Sequence, residues 1–201
     1  MKMNGSVEKM LKDVVKGAGS ARPELQCAHF ENGAVVVTDS HRLNRINKLA
    51  PKDLKLDINL VDFSFPKVNY PQTDQLIPKT FETTFKLNKY EVVKILPALR
   101  AMNRGFMRAV KLVIDGSKLQ ISQVDKETGN AQTLSLVVEG FKGKKKEISC
   151  VPQYLYEALS ALAKFPDTRV RWIEVKINSD LTPFLLSIRN IEYLLVPVKV
   201  F

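Results

Sequence analysis

The stretch AVVVTDSHRL, residues 34–43, runs four apolar residues into Thr38-Asp39-Ser40 and then into His41, Arg42 and Leu43. A short apolar run with turn residues on both sides has the length and composition of a buried strand. Asn32-Gly33 stands before it and predicts a hairpin turn, because both residues tolerate the left-handed backbone that such turns need. The strand therefore delivers Asp39 and His41 to a bend. Two chemistries fit that placement: a hydrolytic pair, or a shaped turn on which another molecule docks.

The surroundings of this strand recur along the chain. Val7, Met10, Leu11, Val14 and Val15 fall at helical spacing and predict a helix beginning after Ser6. A second helix is predicted after FKLNKYEVV, with Asn88 as cap and Glu91 in a capping-box variant. Val92, Ile95, Leu96 and Leu99 form its stripe, and Pro97 predicts a kink or an early end. A third helix starts at Pro152, with Leu155, Ala158, Leu159 and Leu162 on its apolar side.

Each helix is followed by a hairpin pattern and further strand: LQCAHFENGAVVVTDS, then AVKLVIDGSKLQISQV with its Asp115-Gly116 turn, then VRWIEVKINSDLTPFLLSI. ETTFKL and KEISCV read as strands leading into the second and third helices. A recurring strand-helix-strand-strand unit implies an α+β fold in which copies build a continuous sheet. The division expected is a partial domain over 1–70, a connector over 71–82 and a complete domain over 83–201. The proline-containing piece DFSFPKVNYPQTDQLIPKTF forms the join. Phe63, Phe65, Val68, Tyr70 and Ile77 are expected to anchor it to the core.

The 201 residues carry 31 Lys and Arg against 21 Asp and Glu, a net charge of +10 that attracts polyanions, nucleic acid first. Lys9, Lys12 and Lys16 are spaced to share one helix face; Lys89, Lys94, Arg100, Arg104 and Arg108 lie on or after the second helix. Such faces suit phosphates, without reading bases. FKGKKKE reads as a solvated loop. The N-terminus is interrupted by charge and has no apolar signal core, so a cytoplasmic location is expected.

Catalytic signals are poor. Only two histidines exist, His29 and His41, and His29 reads as an ordinary strand residue. No nucleophile turn, acidic metal cluster, Walker-type loop or GxGxxG accompanies Asp39 and His41. Cys27 and Cys150 stand alone, which argues against zinc and for small buried side chains. Neither metal nor cofactor is expected, and the protein is read as not an enzyme. An enzyme using Asp39 and His41 stays as the weakest alternative.

Four motifs resemble one family. VVVTDSHRL resembles the TDGHRL signature of bacterial DNA sliding clamps, the β subunit of DNA polymerase III. NYPQTDQLIPK is similar to the clamp connector, ISCVPQYLYEALSAL to the segment that starts the last clamp helix, and YLLVPVKV to the C-terminal clamp strand. Their order is the clamp order, and they span about 35–201. The resemblance identifies a shortened clamp-like member and implies the DNA-clamp fold, with sheets outside and helices on the inner face.

The resemblance also implies a hydrophobic groove that accepts a short linear peptide from polymerases or other replication proteins. Carried over by match, its positions are Thr38, Ser40, His41, Arg42, Leu43, Pro71 and Leu76, with Tyr154, Leu194, Val196, Pro197, Val198 and Lys199 opposite. The DNA-facing positions implied are Lys9, Lys12, Lys16, Lys89, Lys94, Arg100 and Arg104. Duplex DNA, replication proteins and further copies in a homo-oligomer are the expected partners. Four departures stand out: Ser40 replaces the family glycine, Gln75 replaces a connector arginine, Lys199 stands where arginine is usual, and Phe201 extends past the usual family end. A peptide-binding adaptor, or competitor of a full-length clamp, that does not encircle DNA is the alternative reading.

Overall fold

The computed structural model describes residues 5–103, 109–124 and 129–199. It divides into two compact units, Met1–Ile77 with Arg189–Leu194, and Pro78–Ile188 with Leu195–Phe201. The expected division at 70 and 82 thus shifts in two places. Residues 71–77 fold with the first unit, and a strand from near the chain end joins it. The hydrogen bonds explain the second shift: Asn47 N–H donates to Asn190 O at 2.8 Å, and Asn190 Nδ2 returns a bond to Asn47 O at 2.6 Å.

The first unit contains α1 (Gly5–Val15), β1 (Cys27–Glu31), β2 (Ala34–Thr38), β3 (Arg42–Ile46) and β4 (Leu56–Asn59). The strands pair antiparallel in the order β4-β1-β2-β3. Asn32 and Gly33 close the β1–β2 hairpin with φ of 51° and 79°, the left-handed conformation the dipeptide predicted. α1 lies against β2 and β3 and buries Met10, Leu11, Val14 and Val15. Each such side chain contributes about 1.5–3 kcal/mol when fully buried. Cys27 is fully buried, and burial with nearby acidic groups pushes its thiol up to about 11, so it acts as a core atom.

The second unit contains β5 (Thr83–Asn88), α2 (Lys89–Met102), β6 (Val110–Asp115), β7 (Lys118–Val124), β8 (Ala131–Lys142), β9 (Lys146–Cys150), α3 (Pro152–Ala163), β10 (Trp172–Ile177) and β11 (Phe184–Ile188). Its sheet order is β11-β10-β5-β8-β7-β6-β9. The repeated unit explains that order. Each leading strand crosses to the other copy: β5 pairs with β10, and β9 pairs with β6. The helices pack on each other, and Leu99, Leu155, Leu159 and Leu162 are among the most completely buried side chains. The long β8 was foreseen only as a further strand of unknown place.

Several local expectations are corrected. α2 continues through Pro97 to Met102, so the helix does not end early; Pro97 and Val93, the residue whose carbonyl its ring frees, are both exposed. Asn88 caps α2 by accepting from Tyr90 N–H at 3.0 Å, while Glu91 is engaged by Lys94 at 2.7 Å. Phe63 and Phe65 do not anchor the connector: they are 60% and 72% exposed. Bonds within the turn hold it independently, with Phe63 N–H to Asn59 O at 2.9 Å and Asn59 N–H to Ser64 O at 3.0 Å. Tyr70 does anchor, donating its hydroxyl to Val36 O at 3.2 Å. FKGKKKE is only partly a solvated loop: Lys146 begins β9 and pairs with Glu82 at 2.6 Å, and Thr83 Oγ1 donates to Lys144 O at 2.8 Å. Arg104, Arg108 and Phe201 lie outside the described residues.

Candidate functional site

The bend after β2 is built from the inside. The Asp39 carboxylate is buried and accepts three bonds at 3.0 Å, from His41 N–H, Arg42 N–H and Arg42 Nε. Arg42 is 4% exposed and donates through Nη2 to Asp13 O at 2.7 Å, which ties the bend to α1. Thr38 Oγ1 donates to Arg42 O at 2.8 Å and accepts from Ser40 N–H at 3.2 Å. Charged hydrogen bonds in such a dry setting are strong, because water cannot compete for either partner. Gly17 completes the packing: a Cβ there would stand 2.4 Å from Asp39 Oδ2, so only glycine leaves the carboxylate its place.

The network commits the Asp39 carboxylate to the turn. Thr38, Arg42 and Leu43 are all at most 5% exposed. Expected to face a peptide, they instead frame the bend, and Ser40 and His41 are the residues it exposes. Ser40 sits at φ 76°, a left-handed conformation costly for a residue with a Cβ. Its hydroxyl accepts from Arg22 Nη1 at 2.9 Å in an exposed setting. Ser40→Gly is expected to raise the unfolding free energy by about 0.5–1 kcal/mol. A urea midpoint that falls would show the Arg22 bond outweighs the strain.

Sequence reasoning missed the surface beside the bend. Cross-strand register sets Asp57, His29, Val36 and Arg45 in one row across β4, β1, β2 and β3. His29 Nδ1 lies 2.8 Å from Asp57 Oδ1 and its Nε2 lies 3.3 Å from Glu31 Oε2. The connector covers this row. Tyr70 stacks on His29 with ring centroids 4.6 Å apart and planes 7° from parallel, and Asp74 pairs with Arg45 at 2.9 Å. Burial drives the Tyr70 hydroxyl strongly upward, so it remains a neutral donor. Lys55 at 2.5 Å and then His29 hold Glu31 below its ordinary value. A cleft of about 680 Å³ remains between row and connector, with Pro71 and Gln75 among its walls. His29 looked ordinary because one strand alone carries no information about its neighbours in register.

The other expected groove positions are placed within their own units. Pro71 and Leu76 are exposed on the connector, Leu76 in a single 3-10 turn, Asp74–Leu76. Leu194, on β12 (Ile191–Leu195), is 3% exposed and therefore belongs to the packing. In the second unit Tyr154 is half-buried on α3. Val196 and Lys199 are exposed; Pro197 and Val198 are half-buried, and Val198 N–H donates to Ser149 O at 2.8 Å.

The expected DNA-facing lysines are less free than their spacing suggests. Lys9 pairs with Asp13 at 2.5 Å, Lys12 with Glu8 at 2.7 Å, and Lys16 lies 3.8 Å from Asp13. Lys94 pairs with Glu91, and Arg100 is exposed. Lys89 is a correction. It is 2% exposed, and its ammonium donates to the carbonyls of Phe165 and Asp167, each at 2.9 Å. Its stem is buried at the start of α2 while its charge closes the loop after α3. It cannot meet a phosphate from there.

No family model matches the sequence. The β sliding clamp of Bacillus subtilis (strain 168) is 28% identical over 138 residues, which are 66% of this chain and 35% of that protein. The crystal structure of the B. subtilis sliding clamp superposes with a TM-score of 0.76 at 21% identity, covering 97% of this chain and 62% of the other. The Helicobacter pylori β clamp bound to a DNA ligase peptide gives 0.76 at 17% identity, covering 97% and 63%. The chain thus spans about a third of its curated relative and under two thirds of these solved structures. At such identities the superpositions establish the fold. The chain has the fold of the bacterial DNA sliding clamps, the β subunits of DNA polymerase III, and over 66% of its length it is similar in sequence to one of them.

Proposed function

We propose that the protein is a non-catalytic replication accessory factor that docks a short linear peptide on the bend and connector and lies along duplex DNA without reading its sequence. The observation that supports this most is the bend itself. A buried ion pair and five further hydrogen bonds hold six residues so that Ser40 and His41 stay exposed at the end of β2. The connector crosses the same strand through Tyr70 and carries Pro71 and Leu76 exposed. A rigid polar turn beside exposed apolar groups suits an extended peptide, because little order is lost on binding.

The DNA half of the proposal rests on the net charge of +10 and on Lys9, Lys12, Lys16, Lys94 and Arg100. Phosphate binding would exchange the present carboxylate partners of α1 for a polyanion, and the affinity would fall steeply with salt. The same ion pairs favour a second reading, an adaptor that binds peptide alone. One experiment separates the two. The ligase peptide that the H. pylori clamp binds is titrated against the chain and against His41→Ala/Leu76→Ser, and a fluorescent duplex is titrated against the chain and against Lys9→Glu/Lys12→Glu/Lys16→Glu at rising salt. Full function predicts peptide binding weakened about tenfold or more by the first variant. It also predicts duplex binding that the second variant abolishes at low salt. Peptide binding without duplex binding selects the adaptor. Absence of both discards the proposal.

A further inference from the structure

Both ring nitrogens of His29 meet carboxylates. Nδ1 lies 2.8 Å from Asp57 Oδ1 on β4, and Nε2 lies 3.3 Å from Glu31 Oε2 on β1 itself. A neutral imidazole has one N–H and one lone pair, and an ionised carboxylate only accepts. A neutral ring in this position therefore sets its lone pair against one of the two carboxylates. The imidazolium donates from both nitrogens and satisfies both at once. The side chains of His29 and Asp57 are each 16% exposed, so water screens this pair less than it would on an open surface.

The other elements around the ring add one cation and one aromatic face. Lys55, just before β4, pairs with Glu31 Oε1, the oxygen that the ring leaves free, and its own side chain is exposed. β2 contributes Val36, which carries no charge. Arg45 on β3 lies beyond Val36 in the row, with its charge engaged by Asp74. The connector contributes Tyr70, whose ring is stacked on His29 while its hydroxyl donates to Val36 O. Two carboxylates and an aromatic face attract a positive ring, and the repelling Lys55 is held on the far side of Glu31. Tyr70 is the firmer fastening of the connector, because the Arg45–Asp74 pair is exposed at Asp74 and such pairs hold weakly.

We propose that His29 is a proton-operated latch that fastens the connector to the first unit's sheet: the imidazolium grips Asp57 and Glu31 and holds the Tyr70 ring by stacking, and loss of its proton loosens all three contacts. The sign follows from the charges. The grip is complete while the ring is protonated and is lost as pH rises through its titration. The Glu31–Lys55 pair behaves oppositely at acid pH, since it needs Glu31 ionised. The cleft of about 680 Å³ between row and connector leaves the loosened connector room to move. Pro71 follows Tyr70 directly, so the same proton positions one wall of the proposed peptide site. That consequence rests on the peptide reading; the latch itself does not.

Nuclear magnetic resonance on the full chain tests it, with no peptide or DNA present. The ring ¹⁵N shifts of His29 and His41 are followed between about pH 5 and pH 8, the range in which histidines change charge, with the backbone order parameters of Tyr70, Gln72 and Thr73. The order parameters are expected to fall from about 0.85 to below about 0.6 as His29 loses its proton. The fall is expected to track the His29 ring and not the exposed His41. His29→Phe keeps a ring against Tyr70 without the proton, so its connector is expected to show no dependence on pH. Glu31→Gln replaces one carboxylate by a group that can donate to a neutral ring, and it is expected to shrink the fall. Glu31 lies at the surface, so this variant decides the matter should His29→Phe fold poorly. Order parameters that stay constant in the wild type overturn the proposal, as does a fall that either variant leaves unchanged.

Discussion

Asp39→Ala is expected to lower the unfolding free energy by about 3–5 kcal/mol and to erase the proposed peptide binding at the bend. Arg42 is 4% exposed, and its Nε pairs with the Asp39 carboxylate at 3.0 Å. Deleting the carboxylate takes a counter-charge from a buried cation and removes the acceptor of two backbone N–H groups. Both losses are desolvation penalties that water cannot repair inside the fold. Asp39→Asn is the graded control. It keeps an acceptor for the turn but gives up the charge, so an intermediate loss of about 1–3 kcal/mol is expected. Urea unfolding followed by far-ultraviolet circular dichroism measures both. Trp172, the only tryptophan, lies in the second unit and reports that unit separately. A loss under about 1 kcal/mol for Asp39→Ala would show that the pair adds no support.

Lys89→Ala is expected to cost about 2–4 kcal/mol. The change empties the space of a buried stem and strips a donor from two carbonyls, Phe165 O and Asp167 O. Lys89→Met restores the volume without the charge, so it isolates the hydrogen-bond part, about 1–3 kcal/mol. The readout that separates structure from DNA contact is the salt dependence of duplex binding. A lysine on phosphate contributes a slope of about one to the logarithmic salt plot. For folded Lys89→Met the slope is expected to stay at the wild-type value. A slope reduced by about one at unchanged stability would return Lys89 to the DNA side.

Much of the architecture was legible because it is local. Helix stripes, the Asn88 cap, the Asn32-Gly33 turn and Pro152 at a helix start each depend on residues a few positions apart. The threefold recurrence then ordered these pieces. The errors arose where distant segments meet. Phe63 and Phe65 look like anchors in sequence, yet a self-contained turn carries them outward while Tyr70 does the anchoring. Lys89 looks like a surface cation, yet a loop nearly eighty positions away supplies its acceptors.

The site divides in the same way. TDSHRL fixed the bend by itself, since Thr38, Asp39 and Arg42 bond mainly within six residues. Which of its side chains remain exposed was decided by packing against α1 and the sheet, and that packing turned Thr38, Arg42 and Leu43 inward. The Asp57–His29–Val36–Arg45 row belongs wholly to the tertiary structure. Periodicity tells which residues share a face of one strand. Only the pairing of strands, set by register and by where a neighbour leaves the sheet, tells what lies beside them.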